Sequence, residues 1–132
     1  MKDIQSIILK NYKDLSNRKT LDKYTHHFKK NNHACGDNIE FYLKIKDEII
    51  KEISFIGEGC SLSISATNIL IEILKYKKLT EARNIIKNLE NFFLNKENLN
   101  ENVDSFKIFN DYKDFPIRLK CILLPIKALN FL

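Results

Sequence analysis

Apolar residues recur three to four positions apart at Ile4, Ile7, Ile8, Tyr12 and Leu15, a spacing that predicts a short amphipathic helix over residues 3–15. The stretch that follows, to Asn32, is polar and carries His26 and His27, and reads as a loop leading to a short edge strand. From Asn38 to Lys46 the period changes to two: Ile39, Phe41, Leu43 and Ile45 alternate with Glu40, Tyr42, Lys44 and Lys46, the pattern of a half-buried strand. Asp47-Glu48 offers a tight turn, and the β-branched run Ile49 to Ile56 predicts the returning strand of a hairpin.

After residue 60 the period returns to that of helices. Ala66, Ile69, Leu70, Ile73 and Leu74 form one apolar face, with Ser61 or Ser63 as the expected N-cap. Thr80 to Asn95 predicts a second helix capped by Thr80, Lys96 to Asn102 a loop, and Ser105 to Tyr112 a short helix. A last helix opens with Pro116 at its first position, and Pro125 inside it predicts a kink or a break. Helix, strands, then helices is the order of an α+β fold, a small antiparallel sheet of about three strands packed against several helices. At 132 residues, positions 1–132 fit one domain.

Charge changes this picture little. The formal net charge of +5 invites a nucleic-acid partner. Against it, the lysines are interspersed with Asp and Glu and only three arginines are present, so no nucleic-acid partner is expected. No apolar run approaches the roughly 18 residues that span a bilayer, and no targeting segment is evident, so a cytoplasmic protein is expected.

Cysteine changes it more. Cys35, Cys60 and Cys121 are odd in number and cannot all pair within the chain, which points to thiol or metal chemistry in a reducing compartment. The chain has three glycines, Gly36, Gly57 and Gly59, each within three residues of Cys35 or Cys60. In the predicted hairpin Cys35 precedes one strand and Cys60 follows the other, so antiparallel pairing brings both to one end of the sheet. Cys60 also stands at a predicted helix N-terminus, which favours thiolate. Three cysteines with Asp37 would complete the tetrahedron that zinc prefers, although the spacing by itself leaves buried structural thiols as an alternative.

Three ordered segments carry a resemblance. Asn31-Asn32-His33-Ala34-Cys35-Gly36-Asp37 resembles the CGD motif of the SufU/IscU family of iron-sulfur cluster assembly proteins. Gly57-Glu58-Gly59-Cys60-Ser61-Leu62-Ser63 resembles its GxGCxxS motif, and Pro116-Ile117-Arg118-Leu119-Lys120-Cys121 the SufU form of its third, PxRxKC. IscU proteins carry histidine immediately before the third cysteine and a shorter interval to it. Here Lys120 stands there and sixty residues separate Cys60 from Cys121, as in SufU.

The resemblance implies zinc held by Cys35, Asp37, Cys60 and Cys121. It implies that Cys35 accepts persulfide sulfur from a SufS-like cysteine desulfurase, a sulfurtransferase-type activity, once a partner residue displaces it from the metal. The alternative is an assembly scaffold that binds iron or a transient [2Fe-2S] cluster on the same ligands. Arg118, three residues before Cys121, would offset part of the site's negative charge, or else is an exposed helix charge. His33 departs from the proline common in the family and is either an extra ligand or base, or an exposed loop residue.

Overall fold

The computed structural model describes residues 3–132. Its elements follow as α1 (Ile4–Lys13), β1 (His26–Asn32), β2 (Asp37–Lys46), β3 (Ile49–Glu58), α2 (Ser61–Leu74), α3 (Leu79–Asn95), a 3-10 helix (Glu101–Tyr112) and α4 (Pro116–Ala128). The strands form one antiparallel sheet in the order β1-β2-β3. This is the α+β arrangement that the order of periodicities predicts.

Alternation in β2 buries Ile39, Phe41 and Leu43 completely against the helices and turns Glu40 and Tyr42 outward. The turn to β3 places Asp47 and Glu48 at φ of 55° and 63°, a conformation whose twist suits a two-residue hairpin. His26 and His27 lie inside β1, opposite Leu43 and Tyr42, rather than in a loop before it. Bonding on the outer face draws this polar segment into the sheet: His27 Nε2 lies 2.8 Å from Glu40 Oε1, and the Tyr42 hydroxyl donates to Glu40 Oε2 at 3.2 Å.

Behind the sheet, α2 is buried on nearly every side, including Ser63, Ser65, Thr67 and Asn68. Its polar groups are satisfied locally. Thr67 Oγ1 donates to the Ser63 carbonyl at 2.7 Å, and Ser65 Oγ to that of Leu62 at 3.2 Å. Asn68 reaches further, donating through Nδ2 to the carbonyls of Asn11 at 2.7 Å and Asp14 at 3.2 Å, which the end of α1 leaves without helical donors. Buried Asn17 donates to Asn68 Oδ1 at 3.3 Å and to Glu72 Oε1 at 3.1 Å.

Two predicted caps are corrected. Cys60 itself caps α2, because its N–H is held by Asp37 while Ser63 Oγ turns back to the Cys60 carbonyl. Lys78 caps α3 in place of Thr80, because the Leu79 N–H is bound to the Glu48 carbonyl of the β2–β3 turn and starts the helix earlier. The 3-10 helix also begins earlier than predicted, at Glu101, with a kink at Val103 that buries Val103, Phe106 and Phe109. Pro125 does not break α4: it deprives only the Cys121 carbonyl of a donor, and the helix ends three residues later. Among the described residues no helix is long and apolar enough to cross a membrane.

Candidate metal centre

Three chain segments meet at one end of the sheet. The β1–β2 turn spans residues 33–36 between the paired residues Asn32 and Asp37, and carries Cys35. Gly36 closes it at φ +69°, a conformation that costs glycine nothing and most side chains about 1 kcal/mol or more. Asp37 opens β2 with its side chain pointing inward, 2% exposed. Its Oδ1 accepts the Cys60 N–H at 3.1 Å and its Oδ2 lies 3.9 Å from Cys60 Sγ. Gly59 makes this approach possible: a Cβ there would collide with Ser63 Oγ and stand 3.1 Å from Asp37 Oδ1. Cys121 enters from α4, almost fully buried, with its Sγ 3.6 Å from that of Cys35.

Ligand atoms of Cys35, Asp37 and Cys121 lie within 4.8 Å of one another. Cys60 stands beside this trio without joining it at that distance, its Sγ directed at Ser63 Oγ, 3.7 Å away, as well as at Asp37. Cys35 and Cys60 are exposed and Cys121 is buried, and all three are free thiols. Burial pushes the Cys121 thiol far above its ordinary pKa, and the neighbouring Asp37, Cys60 and Cys35 push the same way. Such a thiol gives up its proton only when a cation arrives to replace it.

Asp37 leads to the same conclusion. It is a buried carboxylate with no salt-bridge partner among the described residues, an arrangement that is costly unless a cation compensates it. Three sulfurs and one carboxylate oxygen form a donor set suited to tetrahedral zinc. Two sulfurs each about 2.3 Å from a tetrahedral zinc ion stand about 3.8 Å apart, close to the 3.6 Å between Cys35 and Cys121. These residues therefore fit the ion.

The remaining candidates are not part of the trio. The Arg118 guanidinium lies over the ring of Tyr112, 5.7 Å from its centroid, and forms no salt bridge with Asp37. His33 is exposed on the turn and lines a shallow cleft with Lys29, Asn31, Gly36 and Asp37. One contact escaped the sequence reading: Asn32 Nδ2 approaches Cys121 Sγ at 3.9 Å. Its only sequence signal is its place at the foot of the turn that carries Cys35.

Residues 3–106 match the NifU-like N terminal domain. The chain is 33% identical over 104 residues to the iron-sulfur cluster assembly scaffold protein IscU of Thermotoga maritima, covering 75% of this chain and 70% of that one. It is 30% identical over 102 residues to the zinc-dependent sulfurtransferase SufU of Bacillus subtilis, covering 76% and 69%. Its structure superposes on the crystal structure of FiSufU from Fervidobacterium islandicum AW-1 with a TM-score of 0.86 at 32% identity, over 95% of this chain and 92% of that one. The domain match stops short of Cys121, which α4 nonetheless delivers to the other two residues of the trio. The chain belongs to the NifU-like N-terminal domain family, which includes the IscU and SufU iron-sulfur cluster assembly proteins.

Proposed function

We propose that this protein is a zinc-dependent sulfur acceptor of the SufU type, acting in the cytoplasm as a single domain. In this reading zinc is held by Cys35, Asp37, Cys60 and Cys121, and Cys35 receives sulfur from a cysteine desulfurase. The observation that carries it is the meeting of Cys35, Asp37 and Cys121 within 4.8 Å around a buried carboxylate that has no cationic partner among the described residues. Cys60 joins by turning its Sγ away from Ser63, a side-chain rotation at an exposed helix N-cap. Lys120, in place of a histidine before Cys121, supports the SufU branch, as does the name of the Bacillus subtilis relative.

When bound, zinc supplies the positive charge that keeps the thiols deprotonated. The chain does the rest. Gly36 and the β1–β2 turn hold Cys35 at the surface, where a partner's persulfide can reach it, while Cys121 stays buried. The Cys35 thiolate attacks the outer sulfur of the persulfide, a new S–S bond forms on Cys35, and the partner's cysteine leaves as a thiolate. No redox partner is needed, because the sulfur atom moves with its bond.

A scaffold for a [2Fe-2S] cluster on the same residues is the second reading, favoured by the name of the Thermotoga maritima relative. Elemental analysis of the purified protein, joined to a desulfurase assay with wild type and Cys35→Ser, separates the two. One zinc per chain with Cys35-dependent stimulation supports sulfur transfer. Stable iron and sulfide in equal amounts would replace it with the scaffold reading.

A further inference from the structure

The fold gathers charge that the sequence leaves scattered. Strand β1 carries Lys29 and Lys30, helix α4 carries Arg118, Lys120 and Lys127, and neither element holds an acidic residue. These five account for the whole formal excess of +5, since the rest of the chain balances seventeen Lys and Arg against seventeen Asp and Glu. The two elements pack against each other and bring Lys30 of β1 beside Lys120 and Lys127 of α4, while Lys29, next in the strand, turns to the opposite face of the sheet. None of the five forms a salt bridge among the described residues.

Between β1 and α4 lies a groove of about 180 Å³, with Lys30, Lys120 and Lys127 at its rim and Leu123 and Leu124 at its floor. Asn32, which also lines it, is the residue whose amide approaches Cys121 Sγ, so the groove opens directly beside the sulfur site. Its volume falls below the roughly 300 Å³ at which small-molecule pockets begin, and suits one or two side chains. It offers no aromatic platform for a nucleobase.

We propose that this groove docks an acidic segment of a partner protein, apolar side chains on Leu123 and Leu124 and carboxylates on the three lysines. Resting on the sulfur-acceptor reading above, that partner is the cysteine desulfurase. Seating its segment here places the rest of the partner against the Cys35 turn.

The test compares binding of wild type, Lys30→Glu with Lys127→Glu, and Lys51→Glu to the cysteine desulfurase of the same organism, at low and high salt. Lys51 is exposed on β3 and serves as the charge control. We expect the double variant to bind about tenfold more weakly at low salt, the gap closing as salt screens the contact, with the control unchanged and zinc content equal in all three. Equal affinity for the double variant overturns the proposal, and if that variant does not fold, exposed Lys127→Glu alone carries the same comparison. If wild type does not bind the desulfurase, the sulfur-acceptor reading falls. The groove is then decided by NMR titration with a peptide of alternating glutamate and leucine, against an oligothymidylate of equal charge. Peptide-induced shifts at residues 30–32 and 120–127 that vanish in the charge-reversed variant uphold it. No shifts, or tighter binding of the oligonucleotide, overturn it.

Discussion

Cys121 Sγ lies 3.6 Å from Cys35 Sγ although 86 positions separate them in the chain. One thiol is buried in the last helix and the other exposed on a turn, so the pair joins the interior of the protein to its surface. The division suits a site that must both anchor a metal and present a nucleophile.

Anchoring predicts unequal effects of substitution at Asp37. Asp37→Asn keeps the shape and the acceptor for the Cys60 N–H but removes a buried charge that has no cationic partner among the described residues. The metal-free variant is expected to be about 1 kcal/mol more stable than metal-free wild type, while zinc affinity falls at least about tenfold. Thermal melts in chelator and competition with a zinc indicator check the two halves separately. Lower stability with unchanged zinc affinity would show that Asp37 serves folding alone.

Zinc affinity is also expected to strengthen as pH rises. The metal must displace a proton that burial holds on Cys121 more tightly than on a free thiol, so loading releases protons and is opposed by acid. Zinc titrations at several pH values in weakly buffered solution measure both the affinity and the protons released.

Away from the site, Asn68 joins α1 to α2 by donating to two α1-terminal carbonyls while accepting from Asn17. Asn68→Ala leaves those part-buried carbonyls without their amide donor and the Asn17 amide with Glu72 alone, and is expected to cost about 1–3 kcal/mol in urea denaturation. Asn68→Asp, which keeps the acceptor and removes the donors, is expected to be no better.

Glu72 gives stability a pH dependence in the acid range. Burial alone would raise its carboxyl, but the Asn17 amide and Lys75 outweigh it and hold it below the ordinary value of 4.5. A depressed carboxyl stabilises the fold fully above the unfolded value and loses that contribution as pH falls through the folded one. The melting difference between wild type and Glu72→Gln is therefore expected to be largest above pH 4.5 and to vanish in stronger acid.

Much of this was legible in the chain. The alternation from Ile39 to Ile45 and the two-residue turn at Asp47-Glu48 define β2 and β3, because burial of one face leaves no other register. The same hairpin explains how Asp37 and Cys60 meet. What stayed hidden depends on partners remote in sequence. Leu79 is held by the Glu48 carbonyl and so moves the start of α3, and His27 is drawn into β1 by Glu40. The basic face was invisible for the same reason: Lys30 and Lys127 become neighbours only when α4 packs on β1.

The most direct test of the account is mass spectrometry of the zinc-loaded protein after incubation with its cysteine desulfurase and cysteine, followed by peptide mapping without reductant. The account predicts one added sulfur atom, on the peptide that carries Cys35, and none in Cys35→Ser. Sulfur carried by Cys60 or Cys121 instead, or no sulfur on any thiol while zinc remains bound, would contradict it.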